Sequence, residues 1–116
     1  MPNPVVHFEI LGENQKLLED FYKAVFDWKI EPAMEGYSLV QPGSGIGGGI
    51  GAMGEGRAHV TFYVAVADVA AALALIESKG GQKAFGPHPI PDGGIIAGFT
   101  DPEGHLIGLV QAPPKM

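Results

Sequence analysis

Apolar positions along this chain change period several times, and each change marks an element. Residues 5–11 alternate, with Val6, Phe8 and Ile10 on one side and Val5, His7 and Glu9 on the other. That alternation, in a run rich in β-formers, predicts a strand. Gly12-Glu13-Asn14 interrupts it, and Asn14 is suited to cap a helix. Leu17, Leu18, Phe21, Tyr22, Val25 and Phe26 then recur at helical spacing, with Glu19, Asp20 and Lys23 between them. The spacing predicts an amphipathic helix over Gln15 to Phe26. Strands are predicted over Trp28–Met34 and Tyr37–Gln41, turning at Glu35-Gly36, and residues 43–56 hold eight glycines.

The second half repeats the order. His59 to Val66 reads as a strand, and Asp68 caps a helix carrying Val69, Ala72, Leu73 and Ile76. Gly80-Gly81 stops it, as glycine commonly does at a helix end. Gln82–Phe85 reads as a short strand, followed by a loop over Pro87 to Gly94. Ile95–Thr100 and Leu106–Val110 pair as a hairpin across Asp101-Pro102-Glu103-Gly104-His105, where proline presets φ and Gly104 takes the left-handed position. An offset of 52 matches His7 with His59, Leu17 with Val69 and Phe21 with Leu73. A repeat of that period means one supersecondary unit used twice. It gives a single domain over 1–116, with modules of about 4–56 and 57–112, and it sets the two histidines at equivalent places.

Four segments carry a family likeness: His7-Phe8-Glu9-Ile10, Phe21-Tyr22-Lys23-Ala24-Val25-Phe26-Asp27-Trp28, Gly47-Gly48-Gly49-Ile50 and Asp101-Pro102-Glu103-Gly104-His105-Leu106-Ile107-Gly108-Leu109-Val110-Gln111. Together they resemble the vicinal oxygen chelate superfamily of glyoxalase I, extradiol dioxygenases and bleomycin-resistance proteins, and within it bacterial glyoxalase-related proteins. The resemblance implies an α+β fold of two βαβββ modules forming a curved mixed sheet, with helices on the convex face and ligand on the concave one. It implies burial of Phe21, Phe26, Leu73 and Ile76 beneath the helices. One departure is Asp27, where the family commonly has glycine at the helix end.

Metal enzymes of that superfamily complete a pair of histidines with carboxylates. The matching positions here are Gly108 and, in the glycine run, Gly48 or Gly49, which offer no side-chain donor. No metal or other cofactor is therefore expected. If Zn, Ni, Mn or Fe binds, His7 and His59 are the expected ligands, since neutral imidazole suits those ions. Alternation sends Val60, Phe62 and Val64 to the core, and gathers His7, Glu9, His59, Thr61 and Tyr63 on the ligand side with Gly48 and Gly108 leaving space. Glu9 is the candidate general base, because a partly apolar cleft raises a carboxylate pKa. His88 and His105 lie in a loop and a turn, and Met34 and Met53 read as packing.

Composition narrows the partners. The 116 residues are 46% hydrophobic and 17% charged, with net charge −6, which fits a folded globular chain. Seven scattered Lys and Arg make no phosphate-binding stripe, so nucleic acid is excluded. There is no cysteine, and no apolar run approaches the ~20 residues that span a bilayer. The start of the chain lacks signal-peptide features, and a cytoplasmic location is expected. Gly43-Ser44-Gly45-Ile46-Gly47-Gly48 matches a dinucleotide fingerprint by pattern, but no helix is predicted after it to receive a pyrophosphate. Open sheet edges predict a homodimer. Three functions stand open: a small-molecule binding module, an enzyme (a lyase or isomerase, a dioxygenase-like metal enzyme, or a metal-free acid–base catalyst), or a structural partner with a vestigial cleft.

Overall fold

A computed structural model describes residues 2–53 and 58–113. The expected junction between the modules, at residues 56 and 57, lies outside the described residues. Two compact units are formed: one from Val6 to Phe62, the other from Tyr63 onward together with the residues up to Val5. In chain order the elements are β1 (Val5–Gly12), α1 (Gln15–Phe26), β2 (Lys29–Met34), β3 (Tyr37–Gln41) and β4 (Gly47–Ala52), then β5 (His59–Ala65), α2 (Val69–Ser78), β6 (Gln82–Pro89), β7 (Ile95–Thr100) and β8 (Leu106–Gln111). These are the two expected βαβββ modules of an α+β fold.

In the first unit β4 pairs parallel with β1 and antiparallel with β3, and β3 pairs antiparallel with β2. The side chain of Asn14 starts α1 by accepting from Leu17 N at 3.0 Å, which satisfies a donor left open at a helix start. Asp27 ends it at φ 58°, its N–H reaching Lys23 O at 3.0 Å. Aspartate thus takes the left-handed conformation that glycine would adopt more cheaply. Ile30, Val40 and Ile50 form the core, packed by Phe8, Ile10, Leu18, Tyr22 and Trp28.

The second unit pairs β5 parallel with β8, then β8 with β7 and β7 with β6, both antiparallel. Its helix is capped by Asp68, which accepts from Ala71 N at 3.1 Å, and by Gln111, whose side-chain oxygen accepts from Val69 N at 2.8 Å. Val69, Leu73, Ala97 and Leu109 are its core, with Ile76, Val64 and Val66 against them. The Asp101 carboxylate accepts from the Glu103 and His105 backbone N–H groups at 2.9 and 3.0 Å and so fixes the hairpin turn.

Several expectations are corrected. Phe21 and Phe26 are 54% and 56% exposed, because α1 turns Leu18 and Tyr22 to the sheet and its apolar arc is wider than the face the sheet covers. Val60 and Phe62 are exposed as well, while Thr61 and Tyr63 are buried. The core of the second unit takes up Val64 and Val66 instead. The strand predicted over Gln82–Phe85 continues through the expected loop to Pro89. Its prolines are accommodated because β6 pairs only with β7 in its unit, leaving the other side without ladder partners.

The equivalence of the histidines is also overturned. The helix caps Asn14 and Asp68 are 54 residues apart. The core pairs Ile10↔Ile50 and Val64↔Leu109 keep that spacing on β1 and β5. His7 therefore corresponds to Thr61, and Glu9 to Tyr63. His59 lies two residues earlier, and the offset of 52 aligned side chains rather than backbone positions.

Candidate functional site

β1 turns Phe8 and Ile10 into the core beneath α1, so the pleat sends His7 and Glu9 to the opposite sheet face. There the Tyr37 hydroxyl donates to Glu9 Oε2 at 3.1 Å, and His7 Nε2 lies 2.8 Å from the same oxygen. A phenol has one proton. With that proton directed to Glu9, the bond to His7 requires Nε2–H as donor. The row thus runs in one direction: imidazole N–H to phenol oxygen, phenol O–H to carboxylate. The His7 and Tyr37 rings also stack, with centroids 6.4 Å apart. Burial lowers the pKa of His7 from its ordinary 6.5, which keeps the ring neutral at pH 7.

Tyr37 was not among the residues chosen from sequence, and it is the link between the two that were. It opens β3 opposite Gly51. Its ring lies over Gly49 and Gly51: a Cβ at Gly49 would overlap the phenol, and one at Gly51 would come within 2.7 Å of the ring. The available signal was a tyrosine at the head of a strand next to a glycine-rich one, since an aromatic ring can cover glycine on an adjacent strand.

The glycines therefore do not leave space as expected. Gly48 pairs with Phe8 on the core side, and a Cβ there would enter the Phe8 ring, so Gly48 is not beside His7 and Glu9. Gly49 borders that face, beneath Tyr37. In the second unit Gly108 pairs with Tyr63, whose ring covers it in the same way. His59 is half-buried at the start of β5, and Thr61 is buried in the first unit with its hydroxyl 3.4 Å from Phe62 O. Of the weaker candidates, His88 stacks on Phe85 at 6.2 Å, and His105 Nδ1 lies 3.0 Å from Asp101 Oδ2. Contacts to its own turn hold the Asp101 carboxylate below the usual range. The glycine segment resembling a dinucleotide fingerprint continues into β4 rather than a helix.

The donor chemistry argues against His7 as a metal ligand in this arrangement. In the tautomer that donates to Tyr37, Nε2 offers a metal no lone pair. Among the described residues no three His, Asp or Glu converge as a ligand group.

The family model for the glyoxalase/bleomycin resistance protein/dioxygenase superfamily matches residues 5–109, and the chain belongs to that superfamily. Among curated proteins none matches. Solved structures share the fold at low identity. A hypothetical protein from Bacillus halodurans aligns with TM-score 0.74 and 14% identity, over 100% of this chain and 99% of its own. An NAD-dependent benzaldehyde dehydrogenase from Legionella pneumophila gives 0.71 and 17%, over 96% and 99%. Methylmalonyl-CoA epimerase from Mycobacterium tuberculosis gives 0.67 and 17%, over 95% and 88%.

Proposed function

We propose that this superfamily member binds a small organic ligand on the sheet face that carries His7, Tyr37 and Glu9. The observation that carries the reading is the one-directional row of hydrogen bonds, with a neutral imidazole at one end and a carboxylate at the other. A few polar groups held in fixed directions are what orient a small ligand in its site. His59 and Thr61, in the same unit, are further contacts under this reading. The acidic chain favours a cationic or hydrogen-bond-donating ligand, with Glu9 as its acceptor. The likeness to methylmalonyl-CoA epimerase adds acyl thioesters to the ligands worth testing.

The test is a thermal-shift and calorimetric screen of small cations and acyl-CoA esters against the wild type, Glu9→Gln and His59→Ala. Binding should weaken at least about tenfold in both variants, as for loss of a charged hydrogen bond, with little change in melting temperature. A blank screen with both variants unfolding makes these residues structural. The alternative, a metal-dependent lyase, isomerase or dioxygenase-like enzyme using His7 and His59, requires His7 to leave Tyr37. The metal-free acid–base version needs no such change, and Glu9 is its base.

The same reading includes a homodimer and a cytoplasmic location. No helix among the described residues is long and apolar enough to cross a membrane, and the sequence has no cysteine. Leu17, Phe21 and Val25 form an exposed stripe along α1, and Phe26, Val6, Val60 and Phe62 of the same unit are exposed too. These seven side chains offer roughly 600–700 Å² of apolar surface, close to the ~800 Å² each partner contributes to a standard interface. A second copy of the chain is the proposed occupant, because apolar side chains exposed on one copy can be covered by those of another. Light scattering of wild type and Leu17→Ser/Phe21→Ser should give dimer and monomer; a monomeric wild type at micromolar concentration defeats the assignment.

A further inference from the structure

Four glycines lie in β4, and three have their side-chain positions taken by neighbouring rings. A Cβ at Gly48 would enter the Phe8 ring on the core side, and those at Gly49 and Gly51 would meet the Tyr37 ring. Gly47 is different. Beyond its chain neighbours, the nearest atom to a Cβ there is Val40 O at 3.0 Å, and no described side chain of the first unit comes within 4 Å. We infer that the notch over Gly47 is a subsite of the proposed ligand face, and that it takes a short aliphatic group of the ligand. The inference rests on the ligand reading and adds the ligand's shape to it.

Position and chemistry carry it. Gly47 stands two residues before Gly49, so it shares the face opposite α1, and it pairs directly with His7. The notch thus opens beside the imidazole. On the other side of β4, Leu39 pairs with Gly49, lies on the same face and is 43% exposed. Gln41, two residues further along β3, is exposed and polar, so the apolar border is short. Glycine inside a strand weakens it and often marks a place where another group approaches closely. At Gly48, Gly49 and Gly51 that group is a ring of the same unit, and at Gly47 it is the ligand. The subsite requires volume rather than a free donor or acceptor, so it stands whatever else His7, Tyr37 and Glu9 bond.

Methylammonium and n-butylammonium chloride are the probes, because they share a charged head and differ only in aliphatic length. Binding is followed by amide chemical-shift titration of wild type, Glu9→Gln, Gly47→Val and Leu39→Ser. Each buried methylene raises affinity roughly fourfold, so wild type should bind n-butylammonium at least about tenfold more tightly than methylammonium. Gly47→Val fills the notch and should bring the two amines to within about twofold of each other. Leu39→Ser, at an exposed position, should cut the gain at least about threefold, and it serves alone if the valine variant does not fold. Equal binding of the two amines by wild type overturns the inference, and so does a gain that persists undiminished in the variants. If methylammonium still binds in that case and loses affinity in Glu9→Gln, the ligand reading survives. Wild type that binds neither amine also overturns the inference, and the ligand reading is then decided by the acyl-CoA esters.

Discussion

The two modules seat their helices on equivalent strands by opposite chemistry. In the first, Gln15 and Glu19 of α1 reach down to Ser38 of β3, with Ser38 Oγ donating to Glu19 Oε2 at 2.8 Å and Gln15 Nε2 donating to the same carboxylate at 2.8 Å. With the spacing set by the helix caps, the corresponding residues of α2 are Val69 and Leu73. The position matching Ser38, opposite the core residue of the next strand, is Ala97: Ser38 pairs with Ile50 and Ala97 with Leu109. Ser38 is 2% exposed and Ala97 0%. The backbone frame is the same, yet one seat is a closed set of polar bonds and the other is apolar. Burial at a site is thus fixed by the fold, while the chemistry that fills it is free provided each polar atom is matched.

Moving one residue of the polar seat into the apolar one should break the comparison most severely. Leu73→Glu places an unmatched carboxylate among Val69, Ala97 and Leu109, and should cost about 4 kcal/mol or more. Thermal melting by circular dichroism should show a collapse that raising pH does not relieve.

In the first unit, Glu19→Leu leaves the Ser38 hydroxyl with Gln15 alone, at 3.3 Å, and should cost about 1–3 kcal/mol. Converting the whole seat with Gln15→Val/Glu19→Leu/Ser38→Ala should restore stability to within about 1 kcal/mol of wild type, because matched polar sets and apolar replacements are nearly equivalent. Chemical denaturation measures both, and a triple variant no better than the single one would deny that the seats are interchangeable.

The glycine notches offer a milder comparison. Gly49→Ala presses on Tyr37 and Gly108→Ala on Tyr63, each at about 1–3 kcal/mol. A background Tyr37→Ala should rescue the first and leave the second unchanged, which denaturation midpoints would show.

The smallest effects are in pH and at one backbone position. Because the folded-state pKa of His7 lies below 6.5, the unfolded chain binds the proton first as pH falls. Stability should therefore be full above pH 6.5, decline between 6.5 and the lowered value, and level off below it. His7→Gln should flatten that step in a pH series of melts. Asp27→Gly should stabilise by up to about 1 kcal/mol by relieving the left-handed backbone, against the extra chain entropy glycine brings.

The sequence showed most elements clearly, because their signals are local. Asn14 and Asp68 cap where expected, and the turn after Asp101 forms as proline and glycine dictate. Burial was less legible. Leu17, Phe21 and Val25 sit on the same apolar arc as Leu18 and Tyr22, and only the width of the sheet beneath decides which of them it covers. At the candidate site His7 and Glu9 could be read from alternation alone. Tyr37 joins them from 28 residues beyond Glu9, and its place depends on the register of two strand pairings, which no local pattern encodes. Gly48 was misjudged for a related reason: in a run of glycines alternation has no side chains to mark it, so its face follows from pairing with Phe8.

The strands farthest from β1 and β5 in each unit have a feature in common. β2 carries Pro32 with a register shift between Pro32 and Met34, and β6 carries Pro87 and Pro89 with shifts on either side of Phe85. Proline removes the N–H that an incoming strand would need, and a bulge spoils the spacing of the groups that remain. Growth of the sheet by backbone addition, the route toward fibrils, is thereby blocked at both rims. In a chain with 18 glycines and 46% hydrophobic residues, any association is thereby left to side chains, where contact is specific and saturable, rather than to open-ended strand pairing.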